Sequence, residues 1–190
     1  VAVEIIESLG MDEAILGTSS AGNRRRIAAL PEDCDWIDSL AAWLLDRGDG
    51  QDGGTVAKRM AKLLTLSNRE RIDLKDLLDL RLAIRTDWKG MALAARKRMA
   101  AARIFPRAIQ LVNSDDSELA TTVSRTYQDF LAEGLSPRPL LDGNDLLSAG
   151  FAPGPQLGRV LDLVYDAQLE GRIDSMEEAL ELAGKIAKPG

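Results

Sequence analysis

Two carboxylates one residue apart are the clearest chemical pattern in this chain. Asp33 and Asp35 flank Cys34, and paired carboxylates can hold the magnesium ion that assists nucleotidyl transfer. In such catalytic sites the pair sits on a strand after a Gly-Ser turn, whereas here it follows Pro31 and opens an apolar helix. We therefore predict that these carboxylates cap the helix and do not bind metal.

A glycine-rich stretch at residues 48–55 comes close to two ligand-binding loops without completing either. It has the glycine spacing of a phosphate-binding loop, but Gly54 stands in place of the lysine and no strand precedes it. Its acidic residues suggest calcium, but the terminal glutamate of an EF-hand is missing. We predict a flexible connection between two helices.

The composition excludes several classes of site. The chain contains no histidine, which removes histidine-based triads, histidine acid–base catalysis and most zinc sites. Cys34 is the single cysteine, so an internal disulfide is impossible and a reducing, cytoplasmic location is expected. No apolar run is long enough to span a bilayer, so no membrane partner is expected.

Charge is unevenly distributed along the chain, although the net charge is −6. Residues 85–107 contain seven Lys or Arg residues against Asp87 alone, whereas residues 108–190 contain 14 acidic and six basic residues. A basic band between acidic flanks is where an anionic partner would bind. The candidate contacts in this band are Arg96, Lys97, Arg98, Arg103 and Arg107. The separate Arg24-Arg25-Arg26 triplet is either a solvated helix start or a second phosphate contact.

The elements that carry these residues are predicted to be helices. Alanine and leucine dominate, apolar residues recur at helical spacing, and no stretch alternates as a strand would. We predict an all-α fold, an array of roughly eight to ten antiparallel helices without a β-sheet. A helix from Asp87 to Ala102 carries Arg96, Lys97 and Arg98, and consecutive helical positions lie about 100° apart, so only part of this cluster can face one ligand.

The predicted domain organisation has two parts. Residues 1–135 form a helical body-like domain, and residues 136–190 form C-terminal tail helices packed on it. The linker between them is the proline-rich segment at residues 136–139, whose prolines restrict the backbone.

The tail contains a helix with an unusually bare start. Pro155 suits the first turn and Gly171 suits a left-handed cap at the far end. Gly154 and Gly158 leave the start without side chains, so that either a neighbouring helix or a phosphate can approach closely. Arg159 lies on the polar face of this helix and is a further candidate contact.

Residues 141–171 resemble the C-terminal region of the bacterial tRNA nucleotidyltransferase / poly(A) polymerase family. The positions that match the family's pattern are Gly143, Asp145, Leu146, Gly150, Pro153, Gly154, Pro155, Gly158 and Leu161. Asn144 departs from the usual basic residue. Shorter resemblances follow in the family's order at residues 3–11, 40–45 and 64–71, in its linker and body domain.

This resemblance implies a non-catalytic, tRNA-positioning region of such an enzyme. The marks of the family's catalytic head, a Gly-Gly-x-Val-Arg-Asp turn and a carboxylate pair on a sheet, are missing from this chain. The expected partners are RNA, with tRNA first among them, bound through its phosphates, and the parent's own catalytic head. No cofactor is expected in this fragment; magnesium and ATP or CTP would belong to the head. The RNA contacts would be Arg96, Lys97, Arg98, Arg103, Arg107, Gly154, Gly158 and Arg159.

Two alternatives stand beside this interpretation. A helical protein–protein interaction module without RNA binding would use the acidic tail or apolar grooves. A helical phosphohydrolase is excluded because it needs histidines to bind its metals. CCA addition, A addition and polyadenylation are all open for the parent, since the head would decide among them.

Overall fold

The computed structural model describes residues 25–187, which form ten α-helices, one 3₁₀ turn at Trp88–Gly90 and no strand. The predicted all-α fold is confirmed for this part of the chain, and the antiparallel order of neighbouring helices stays a prediction. None of the described helices is long and apolar enough to cross a membrane. The resemblance at residues 3–11, together with Arg24, lies outside the described residues.

The chain divides into two compact units. The described part of the first unit comprises residues 25–89 and 102–129, and that of the second comprises residues 90–101 and 130–187. The units are therefore discontinuous in sequence. The division into domains at residue 136 stays a prediction.

The helices are numbered in chain order. The first unit contains α1 (Arg25–Ala28), α2 (Trp36–Asp46), α3 (Gly53–Leu64), α4 (Asn68–Thr86), α6 (Phe105–Asn113) and most of α7 (Ser117–Glu133). The second unit contains α5 (Leu93–Ala100), the end of α7, α8 (Gly143–Ser148), α9 (Pro155–Leu169) and α10 (Met176–Ala187).

Side-chain caps begin three helices of the first unit, α2, α3 and α4. Asp35 caps α2 by accepting a hydrogen bond from the Ile37 N–H at 2.8 Å, so the predicted capping role is confirmed for this carboxylate. Ser67 and Glu70 form a reciprocal capping box at the start of α4. Each cap satisfies backbone N–H groups that have no partner within the helix.

The connection predicted at residues 48–55 is shorter than expected, because α3 already begins at Gly53. Asp52 caps this helix by accepting from the Thr55 N–H at 3.0 Å. A β-carbon on Gly53 would lie 2.8 Å from the carbonyl oxygen of Lys75 and would clash with the carboxylate of Asp79. Glycine at this position therefore lets α3 pack closely against α4.

The prediction of one helix from Asp87 to Ala102 is wrong for the first third of that range. Trp88–Gly90 forms a 3₁₀ turn, Ala92 is extended, and α5 starts at Leu93. Trp88 is buried and its ring centroid lies 5.7 Å from that of Phe105. Burial of this large ring favours the 3₁₀ turn over a continuous helix. Gly90 has a low helix propensity, so the local sequence opposes this turn only weakly.

Each unit has its own apolar core. In the first unit α4 packs against α2, α3 and α6 around fully buried side chains that include Trp43, Leu74, Leu77, Phe105 and Leu111. In the second unit α9 packs against α5, α8 and α10 around Leu141, Leu146, Val160, Val164, Ala167, Ile173, Ala179 and Ala183. The second core orients α9, whose polar face carries the candidate site.

Candidate nucleic-acid interface

The first turn of α9 has no side-chain cap. Its N-cap residue is Gly154, with φ 153° and ψ 179°, and Pro155 follows at the first helical position. This φ lies in the region that favours glycine, and proline lacks the N–H that would need a partner there. The end of the helix that carries a partial positive charge is therefore without any capping side chain to neutralise it.

Gly158 faces open space. Among residues 25–187, a β-carbon there would meet no neighbouring atom within 4 Å, and the same holds for Gly154. Close packing of a second helix, one of the two explanations for these glycines, is therefore not seen within this part of the chain. A bare, exposed helix start of this kind admits an anion, since N–H groups and the helix dipole point toward it.

Arg159 adds a positive charge at the same helix start. Its side chain is exposed and forms no ion pair or hydrogen bond within residues 25–187. Asp162 and Asp166 follow on the same face at helical spacing. The outer face of α9 thus begins with a free cation and continues with two carboxylates.

The three cations of α5 have different surroundings, as their spacing predicts. Lys97 is buried, with Nζ 3.3 Å from a Glu133 carboxylate oxygen and 5.5 Å from the centre of the Phe130 ring. Arg96 is half-buried and also interacts within the chain. Arg98 is exposed, so it alone among the three presents much of its charge to solvent.

Arg98 is bound to the outer face of α9. Its Nε donates to Asp166 Oδ1 at 2.6 Å, one Nη donates to the Asp162 carbonyl oxygen at 3.1 Å, and its guanidinium lies 5.0 Å from the centre of the Tyr165 ring. The side chain of Arg98 remains 40% exposed. A phosphate could replace Asp166 at this guanidinium without disturbing the core, because exposed ion pairs are weak.

Arg103 and Arg107 lie in the first unit and bind its carboxylates. Arg107 Nε donates to both oxygens of Asp38 at 2.9 and 3.0 Å, and its other nitrogens lie 3.3 Å from Asp35 and 3.4 Å from Asp73. Arg103 pairs with Asp73 as well. Burial acts to lower the pKa of Arg107, but the hydrogen bond and charge of Asp38 outweigh it and raise that pKa. Burial raises the pKa of Asp38 in spite of the hydrogen bond from Arg107.

Sequence reasoning missed the carboxylates that pair with the basic band. Asp38 is 2% exposed and Asp73 is 7% exposed. A signal for Asp38 was present, because it shares a helix face with the buried residues Ala41 and Leu45. A carboxylate among apolar residues requires a buried cationic or hydrogen-bonding partner, but α6 was not identifiable as its source from spacing alone.

One arginine of the Arg24-Arg25-Arg26 triplet, Arg26, belongs to a cluster of ion pairs around Asp115. Arg26 binds Asp46 at 3.0 Å and Asp115 at 2.6 Å. Arg81 and Arg85 also bind Asp115, whose side chain is only 5% exposed. Arg26 therefore holds α1 to the rest of the first unit and is not a solvated residue.

Of the five candidate RNA contacts in the basic band, Lys97, Arg98, Arg103 and Arg107 are thus paired with carboxylates of the chain itself. The sequence leaves open whether the basic band is exposed or internally paired. For these four residues the structure shows internal pairing. Among residues 25–187, no three side chains of His, Cys, Asp or Glu come together as a metal-binding group. The arrangement suits the binding of phosphates at the start of α9 and at Arg98.

Comparison with known proteins gives an informative match. Over 82 residues the chain is 35% identical to the CC-adding tRNA nucleotidyltransferase of Thermus thermophilus, a stretch that covers 43% of this chain and 17% of that enzyme. The chain therefore matches less than a fifth of the relative's length. No family model and no solved structure matches it. The match shows a distant relationship to the tRNA nucleotidyltransferases.

Proposed function

We propose that this chain is the non-catalytic C-terminal region of a tRNA nucleotidyltransferase or poly(A) polymerase and that it positions RNA for a catalytic head outside the chain. The 82-residue match to the Thermus thermophilus enzyme carries the proposal. The head would supply the chemistry with magnesium and ATP or CTP, adding CMP or AMP to RNA 3′ ends. The helical region would bind RNA phosphates, because contacts from Lys and Arg to phosphates are independent of sequence.

The primary RNA contact is the start of α9. Gly154 and Gly158 leave the helix N-terminus bare, and Arg159 brings an exposed guanidinium that no carboxylate within residues 25–187 neutralises. A phosphate there would accept hydrogen bonds from backbone N–H groups and gain the attraction of the helix dipole.

The basic band contributes unequally in this proposal. Arg98 is 40% exposed and Arg103 is 59% exposed in their side chains, so both can exchange a carboxylate for a phosphate. Lys97 and Arg107 are mainly buried, and with Arg96 they would act chiefly by adding positive potential near the surface.

The proposal is tested by filter binding of tRNA to the whole chain at about 50 and 200 mM salt. Arg159→Gln should weaken binding at the lower salt concentration and reduce the slope of log affinity against log salt by about 1. Arg172→Gln is the matched control, since Arg172 is exposed and already paired with Glu170 at 2.8 Å. Equal affinity of wild type and Arg159→Gln would remove the α9 start as the contact.

The alternative, a protein–protein interaction module, is favoured by one observation. An apolar groove of about 590 Å³ lies in the second unit beside Phe151, Pro153, Pro155 and Leu157. The reading frame upstream of residue 1 separates the two proposals. A nucleotidyltransferase head encoded there supports the RNA-binding region, and an unrelated domain supports the interaction module.

A further inference from the structure

A groove with both polar and apolar lining residues lies in the first unit, and none of the residues considered above as RNA contacts lines it. It has a volume of about 490 Å³ and is lined by residues of α6 and α7 together with Ala29 and Pro31. This volume falls within the usual range of small-ligand pockets, about 300 to 1,000 Å³.

The lining combines three kinds of group. Gln110, Asn113 and Gln128 contribute carboxamides, Ser124 contributes a hydroxyl, and Arg125 contributes a guanidinium. On α7, Ser124 and Gln128 are four positions apart, so they share one face of the helix. Ile109 and Pro31 add apolar surface, and no carboxylate lines the groove within the described residues.

Thr121 also lines the groove, but its hydroxyl already donates to the Ser117 carbonyl oxygen at 2.7 Å. The other polar side chains of the lining are not engaged within the described residues. Within residues 25–187 the five side chains of Gln110, Asn113, Ser124, Arg125 and Gln128 form no hydrogen bond or ion pair. This differs from the basic band, where the chain's own carboxylates already bind Lys97, Arg98, Arg103 and Arg107. Each amide therefore retains its donors and its acceptor, and Arg125 retains its charge, for an external ligand.

The chemistry of the groove matches one nucleotide. Amide side chains pair with the edge of a base because they offer a donor beside an acceptor, and they do so bidentately with adenine. A guanidinium binds the phosphate oxygens, and the apolar side chains can contact the base plane. The absence of carboxylates from this lining, among the residues that the structure describes, favours an anionic ligand over a cationic one.

We propose that this groove binds a single unpaired nucleotide of the RNA, with its base on the amides of α6 and α7 and its phosphate on Arg125. The inference rests on the proposed RNA-binding function and adds a second, base-contacting site to the phosphate contacts of α9. It gives the region a means to favour RNA with an extruded base, because a paired and stacked base cannot enter such a groove.

The test compares two short RNA duplexes that differ by one bulged adenosine, with binding to the whole chain measured by fluorescence anisotropy. The wild type should prefer the bulged duplex by roughly tenfold, the discrimination expected of a good amide–base pair. Gln128→Ala and Arg125→Gln should each reduce that preference severalfold while leaving binding to the perfect duplex nearly unchanged. Asn113→Ala provides an independent third variant. Because these side chains are exposed or half-buried and make no internal polar contacts, all three variants should fold.

The control is Lys58→Gln, which removes one exposed positive charge on α3 of the same unit. It should preserve the preference for the bulge. Equal binding of both duplexes by the wild type would overturn the groove site while leaving the proposed RNA-binding function intact. Failure to bind either duplex would overturn the proposed function and this inference together.

Discussion

Arg107 on α6 donates through its Nε to both carboxylate oxygens of Asp38 on α2, at 2.9 and 3.0 Å. The two residues are 69 positions apart in sequence, and the carboxylate is almost fully removed from solvent. A cation selected from the sequence as an RNA contact therefore also joins two helices of the first unit.

The Arg107–Asp38 pair should be important for stability. Arg107→Ala leaves the buried Asp38 without its cation, and loss of one partner of a buried pair costs about 3 to 5 kcal/mol. Arg103→Ala is the control, because Arg103 pairs with a carboxylate of the same cluster but is 59% exposed; it should cost about 1 kcal/mol or less. Urea denaturation of both variants checks this, and equal losses would contradict it.

Acid should weaken the cluster around Asp115. Burial acts to raise the pKa of Asp115, but the hydrogen bond and charge of Arg81, together with Arg26 and Arg85, hold that pKa below its ordinary value. A carboxyl with a lowered folded-state pKa contributes stability that is present above the unfolded-state pKa, about 3.9, and is lost as pH falls through the folded-state value.

Asp115→Asn should therefore lower the free energy of unfolding at pH 7, and its deficit relative to wild type should shrink as the pH falls below about 4. Denaturant unfolding at a series of pH values measures this. Asp129→Asn, an exposed change in the same unit, is the control and should change the free energy of unfolding at pH 7 only slightly. A constant deficit for Asp115→Asn would show that its charge is not the source of the stability.

Gly53 and Gly54 are adjacent, but only Gly53 lacks space for a side chain. A methyl group on Gly53 would meet the Lys75 carbonyl oxygen at 2.8 Å, whereas one on Gly54 would meet only an Asp52 carboxylate oxygen at 3.3 Å. Gly53→Ala should thus destabilise the protein by about 1 to 3 kcal/mol through overpacking against α4. Gly54→Ala should be neutral or stabilising by up to about 1 kcal/mol, because alanine favours helix. Thermal unfolding of both variants distinguishes them.

Asp166 should compete with RNA for Arg98. If phosphate replaces Asp166 at this guanidinium, Asp166→Ala removes the competitor and one repulsive charge, so affinity for tRNA should rise a few-fold at low salt. Arg98→Gln should lower it. Glu181→Ala, which removes an exposed carboxylate paired with Lys185 on α10, is the control for general charge. If Asp166→Ala and Glu181→Ala raised the affinity for tRNA equally, the effect would come from net charge and not from Arg98.

The sequence pattern from Asp142 to Leu146 has a clear structural basis around α8. Asp142 accepts from the Asn144 and Asp145 N–H groups, and Asp145 accepts in return from the Asp142 N–H at 2.8 Å. Those backbone hydrogen bonds, from Asp145 first and Asn144 second, lower the pKa of Asp142. Leu146 is fully buried. The motif thus specifies a capped helix and its core anchor, and Asn144 contributes a backbone N–H that any residue except proline could supply.

Local interactions made much of this protein predictable from its sequence. Helical spacing, the Asp35 cap, the Ser67–Glu70 capping box and the limits of α9 at Pro155 and Leu169 all follow from contacts within a few residues. Where the prediction was wrong, at residues 87–92, a long-range contact between Trp88 and Phe105 replaced the local preference.

The availability of each cation was decided only in three dimensions. The sequence alone established a helical chain with a concentrated basic band, because charge and periodicity are properties of neighbouring residues. Tertiary packing then placed Asp38 and Asp73 against Arg107, placed Asp166 against Arg98, and left Arg159 and Arg125 unpaired within residues 25–187. Ion pairing depends on which helices meet, and partners 34 to 69 positions apart leave no mark on local spacing.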